Sequence, residues 1–236
     1  MTAKNAKVAV VVGVGPGTGA ALARRFSHEY AVALVARGAD KLKAIAEEIR
    51  GRGGEALEVP ADVTSATEVH ASFDGIRAKL GPPDVLLYNA GSGTWGTIAE
   101  VTPEQFEASW RTNAFGAFLC AREVAPEMVS RGRGAIVFTG ATAGMKAGPK
   151  SVAFGPAKFA TRGLAQSLAR DLGPKGVHVA WVNIDGVIDV PGRSLPMKSE
   201  DLIRPEAIAE TFWFLAHQDR SAWTMETEIR PFKEKF

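Results

Sequence analysis

The sequence lacks the features that mark several large protein classes. It holds one cysteine, Cys120, so no disulfide can close within the chain, and no cysteine or histidine cluster with zinc spacing stands among its four histidines. A reducing, cytoplasmic setting is expected. Charge of one sign is also lacking. The 28 basic and 26 acidic side chains leave a formal net charge of +2, too small and too evenly spread for a nucleic-acid or membrane footprint. A small-molecule partner is expected instead. The first apolar run, 8–12, stops at Gly13, shorter than a signal peptide or membrane span requires, so the chain reads as soluble. Hydrophobic residues at 46% and charged residues at 23% argue against disorder and supply a sizeable core. The 236 residues fit one domain, because a parallel sheet covered on both faces commonly fills this length.

Short apolar runs alternate with longer stretches of helical period. Strands are expected at 7–12, 31–35, around 57–59, and at 85–88, 135–139, 177–183 and 225–230. Helices are expected at 20–30, 40–50, 65–80, from 102 towards 128, and at 151–172 and 205–217. Thr102 and Pro103 supply an N-cap and a first-turn proline, and Gly81-Pro82-Pro83 and Gly173-Pro174 stop helices. This alternation predicts an α/β doubly wound parallel sheet of Rossmann type, three layers deep, as a single domain over 1–236.

Between the first strand and helix, Gly13, Gly17 and Gly19 are spaced G-x3-G-x-G, and Gly15, Gly17 and Ala20 form a second overlapping pattern. A pyrophosphate docks on the open N–H groups of a helix N-terminus, and glycines let the backbone approach it. Gly13, Gly15, Gly17, Thr18 and Gly19 are therefore the candidate phosphate-binding residues. An NAD site carries an acid about 20 residues past the glycines, at the end of the second strand. That acid is absent here. The strand ends Val35-Ala36-Arg37, and a guanidinium there suits a 2′-phosphate, so NADP(H) is favoured over NAD(H).

Taken with later motifs, the sequence resembles the short-chain dehydrogenase/reductase family over nearly its whole length. Gly13 to Gly19 match the family's TGxxxGxG with Val12 in place of threonine, and Asp62-Val63 resembles its adenine-contacting pair. Asn89-Ala90-Gly91 matches its NAG segment. Asn113, in TNAFGAF, falls where the family has a helix asparagine supporting an active-site water network, and Lys158 where its YxxxK lysine bonds the nicotinamide ribose. The resemblance implies a homodimer or homotetramer built through the helices at 102–128 and 151–172. It also implies a substrate-shaping lid at 189–205.

The resemblance also exposes departures. The YxxxK position reads Phe154-x-x-x-Lys158, which brings no phenol proton, and the family's serine position is occupied by Ala141, beside Thr142. The Pro-Gly pair after strand six reads Ile184-Asp185, or Asp185-Gly186 if the alignment slides by one. Without the general acid, ordinary family catalysis loses roughly 10²- to 10⁴-fold. Three functions stay open. The first is an oxidoreductase on a carbonyl or alcohol in which Asp185, Thr142 or Lys158 replaces the missing groups, Asp185 titrating near neutrality if buried. The second is a dinucleotide-binding sensor without turnover. The third is a lyase or isomerase whose apolar pocket is lined by Phe154 and Ala141. Trp95 and Trp181 are expected near the pocket or in the core, the core being favoured for a large aromatic. No metal ligands are expected.

Overall fold

In a computed structural model, which describes residues 7–234, the first strand, β1 (Lys7–Val12), divides its side chains between two cores. Ala9 and Val11 pack on one face, and Val8, Val10 and Val12 on the other. Side chains of a strand alternate with a period of two, and burial on both faces demands the unbroken apolar run read in the sequence.

The remaining strands are β2 (Tyr30–Ala36), β3 (Ala56–Pro60), β4 (Val85–Tyr88), β5 (Gly134–Thr139), β6 (Val177–Ile184) and β7 (Glu226–Ile229). All pair in parallel, in the order β3-β2-β1-β4-β5-β6-β7. The helices are α1 (Thr18–Phe26), α2 (Ala39–Gly51), α3 (Ala66–Leu80), α4 (Pro103–Trp110), α5 (Gly116–Arg131), α6 (Phe154–Leu172) and α7 (Pro205–Ala216). Residues of α1, α2 and α7 fill the core on one face, with Phe26 and Phe212 fully buried, and residues of α3, α5 and α6 fill the other around Phe73 and Trp181. Each such side chain contributes about 1.5–3 kcal/mol on burial. The doubly wound three-layer fold is as the sequence predicts.

Three helices depart most from their expected bounds. The first helix stops at Phe26 rather than running to Tyr30, because Ser27 Oγ turns back to donate to Arg24 O at 2.8 Å, and Tyr30 already pairs with Lys7 in the sheet. The helix expected from residue 151 starts at Phe154. The 102–128 helix is two helices joined by one π turn, Arg111–Phe115, with Thr102 and Gln105 forming the capping box at its start. Among the described residues no helix is long and apolar enough to cross a membrane.

The strand order reverses between β1 and β4. Chains leaving these neighbours depart to opposite faces and open a crevice beyond their carboxyl ends, where a doubly wound sheet binds its ligand.

Candidate active site

The crevice is built from the residues that follow each strand. After β1, Gly13 takes φ +88°, where a side chain would be strained, and a Cβ there would overlap the backbone of Ala90. A Cβ on Gly19 would collide with Gly13 O. The glycines thus let the turn fold onto itself, with Gly13 N and Val14 N both donating to Val35 O at 2.8 and 3.2 Å. Helix α1 then starts without a side-chain cap, and Thr18 Oγ1 is buried with no partner. Those open donors suit a phosphate group.

A chain of hydrogen bonds runs from this turn to α6. Asn89 Nδ2 donates to Gly13 O at 2.9 Å, its Oδ1 accepts from Thr139 Oγ1 at 3.1 Å, and Thr139 O accepts from Lys158 Nζ at 2.9 Å. Lys158 is buried on every side, and burial lowers its ammonium from the usual 10.5 to about 8. Asn113 lies on the π turn, an inserted residue of the kind that re-aims side chains at functional sites. Its Nδ2 donates to Ser92 O and Ser109 O at 3.0 and 2.8 Å, leaving a buried Oδ1 without a partner. That oxygen and Lys158 Nζ both lie beside Gly91, at 3.2 and 3.7 Å from where its Cβ would be.

Phe154 opens α6, and its ring centre lies 5.6 Å from Lys158 Nζ. Trp95 tilts against it at 45°, with ring centres 5.2 Å apart. Trp95 is 64% exposed, so the expectation of a core position fails for it, while Trp181, at 1%, fills the core as expected. Trp95 rides a connection that crosses the open end of the sheet, where no core lies beneath it.

Beyond β5 and β6, Thr142 Oγ1 donates to Asp185 Oδ1 at 2.5 Å, and Arg230 Nη2 lies 3.1 Å from Asp185 Oδ2. Asp185 is buried as one half of an ion pair with Arg230. Ala141, Thr142, Phe154, Lys158, Ile184 and Gly186 all line one cavity of about 880 Å³ with the glycine turn. A second cavity of about 320 Å³ shares Gly13, Gly15, Asn89 and Gly91 with it and is lined further by Arg37, Asp62, Val63 and Ala90. Arg37 is exposed just past the end of β2, a strand that itself carries no carboxylate. The Asp62 carboxyl is held below its usual range by the Thr64 N–H and hydroxyl and by the Arg37 and Arg111 charges.

Apart from Asn113, which is buried beside Gly91 and lines neither cavity, the candidate residues line these two adjoining cavities. Lys146 and Glu234, which no motif marks, also line the large cavity, together with Val190 and Arg193 from the segment expected as a lid. Val190 sits over Gly17, 3.1 Å from where a Cβ would be. Among the described residues no cluster of acidic, histidine or cysteine side chains could hold a metal ion.

Comparison with known proteins gives this geometry a relationship. A family model described as short chain dehydrogenase matches residues 7–193. Sorbitol-6-phosphate 2-dehydrogenase of Escherichia coli is 32% identical over 87% of this chain and 82% of its own length. The structure of a short-chain dehydrogenase from Rhodopseudomonas palustris, 34% identical, covers 97% of this chain and 100% of its own at a TM-score of 0.85. A metagenomic short-chain oxidoreductase solved in complex with NADP is 32% identical, with coverage of 96% and 97% and a TM-score of 0.84.

Proposed function

The chain belongs to the short-chain dehydrogenase family, and from that premise we propose that it binds NADP(H) and interconverts a carbonyl and an alcohol in a site without the family's tyrosine and serine. The observation that carries this reading is the groove itself, continuous from Arg37 past the glycine turn to Lys158. Its fit to a dinucleotide rests on the turn that no Cβ can enter, the unpartnered Thr18 Oγ1, and the unpartnered Asn113 Oδ1 at the other end. When bound, the nicotinamide supplies or accepts a hydride.

The chain's residues have distinct roles. The glycine turn and the α1 N-terminus hold the pyrophosphate, and Arg37 pairs with a 2′-phosphate. Asn89 fixes the turn against β5, and Lys158, by its place in the family motif, bonds the nicotinamide ribose. Phe154 stands at the family's tyrosine position and Ala141 at its serine position, so neither brings a hydroxyl to this end of the cavity. Phe106, Trp110, Phe118 and Phe159, exposed on α4, α5 and α6, support a homodimer or homotetramer formed through those helices.

Cofactor binding without turnover is the second reading, favoured by the commitment of the Thr139 and Thr142 hydroxyls to Asn89 and Asp185 within the protein. Following NADPH oxidation with a panel of aldehydes and ketones separates the two. Turnover that needs a carbonyl supports the oxidoreductase; quenching of tryptophan fluorescence by NADPH with no oxidation for any carbonyl supports the sensor.

A further inference from the structure

A census of protons in the large cavity singles out one side chain. Thr139 gives its hydroxyl proton to Asn89 and Thr142 gives its own to Asp185, so each offers only lone pairs to a ligand. Asp185 accepts from Thr142 and is paired with Arg230, and Phe154 and Ala141 bring no hydroxyl. Asn113 commits its amide protons to Ser92 O and Ser109 O. Thr18 belongs to the glycine turn, and Lys146 and Arg193 are exposed. Lys158 alone combines burial, a place in the cavity wall and N–H bonds beyond the one that reaches Thr139 O.

Building on the oxidoreductase reading, we propose that Lys158 itself is the proton donor to the substrate oxygen, replacing the phenol that Phe154 cannot supply. In reduction the carbonyl carbon gains hydride from the reduced nicotinamide, which is oxidised. The C=O π pair moves to oxygen, that oxygen takes a proton from Lys158 Nζ, and solvent returns a proton to the amine. Oxidation of the alcohol reverses each transfer.

The surroundings favour this role. Among the described residues Lys158 forms no ion pair, so no carboxylate holds its proton in place, and burial brings its titration to about 8. The charged groups on the elements packed around it are engaged elsewhere or lie at the surface. Asp185 beyond β6 pairs with Arg230, and Arg162 on α6 pairs with Glu226 of β7. Arg111 on the π turn pairs with Glu107 of α4, and the α5 acids Glu123 and Glu127 pair with Arg77. Glu104 of α4, Arg122 of α5 and Lys146 are exposed.

Two measurements test the assignment. In the cofactor-free protein, NMR of the lysine ε-methylenes should show one resonance, lost in Lys158→Met, titrating near pH 8 and so below the ordinary lysine value of 10.5. In turnover, kcat/KM for carbonyl reduction should fall tenfold per pH unit above that value. Lys158→Arg should remove the break, because a guanidinium stays protonated beyond about pH 12, and Lys158→Met should lose roughly 10²-fold or more in kcat measured at saturating NADPH. Thr142→Val should keep the break whatever its rate. A Lys158 resonance titrating near 10.5 overturns the proposal, as does a break that survives Lys158→Arg or disappears in Thr142→Val. Failure of NADPH to quench the tryptophan fluorescence of the wild-type protein overturns the oxidoreductase reading instead, and leaves the lysine titration as a separate result.

Discussion

The Lys158 ammonium nitrogen sits 5.6 Å from the centre of the Phe154 ring, one turn along α6. In this family resemblance the lysine would face a phenol oxygen; here it faces the π surface of a hydrocarbon ring. The contact is a weak cation–π attraction, on the order of 1 kcal/mol, and carries no transferable proton.

Restoring hydroxyls should therefore raise activity. Phe154→Tyr together with Ala141→Ser places a phenol beside the lysine and a donor near the substrate oxygen, and a general acid typically contributes about 10²- to 10⁴-fold. The expected outcome is a gain in kcat/KM for carbonyl reduction of at least about tenfold. No gain would mean that the cavity, and not only its proton chemistry, has been reshaped.

Burial of Lys158 also carries a stability signature. Its folded value, about 8, lies below the ordinary 10.5, so between these values the unfolded chain binds more protons and stability rises with pH. The contribution is fully present above 10.5 and is lost as pH falls through 8. The shift corresponds to about 3 kcal/mol. Lys158→Met removes the titration, although it leaves Thr139 O without its donor. Urea unfolding at both ends of the range should show the wild type gaining about 3 kcal/mol on the variant as pH rises from neutral to 10.5. A difference that does not change with pH contradicts the burial.

The Asp185–Arg230 pair makes a separate claim, since both side chains are largely shielded from water. Removing one partner of a buried pair leaves an uncompensated charge and costs about 3–5 kcal/mol. Arg230→Met should destabilise by that amount, and Asp185→Asn added to it should recover part of the loss. Denaturant midpoints of the single and double variants decide it, and additive effects would contradict direct pairing.

Much of this arrangement was legible in the sequence, and the limits have physical causes. The strands stood out because a parallel sheet buried on both faces leaves runs such as Val8 to Val12 no polar position. The glycine turn and Asn89 were legible because strand ends fix their place, and Lys158 because it keeps the family motif's four-residue spacing from Phe154 on one helix. The π turn was hidden, because one inserted residue barely disturbs an apolar period between Thr102 and Met128. Asp185 lines the cavity, but its partner Arg230 lies beyond the next strand, and side-chain pairing across a sheet end leaves no local pattern. Trp95 misled because size favours the core on average, whereas its connection lies over the open sheet end.

The most direct test of the account is calorimetric titration of the protein with NADPH and with NADH, repeated on Arg37→Ala. The account predicts one cofactor site per chain, NADPH bound at least about tenfold more tightly than NADH, and a preference that collapses in the variant because a charge-assisted phosphate contact worth about 1.5–3 kcal/mol is lost. Equal affinity for the two cofactors, or no binding of either, would contradict it.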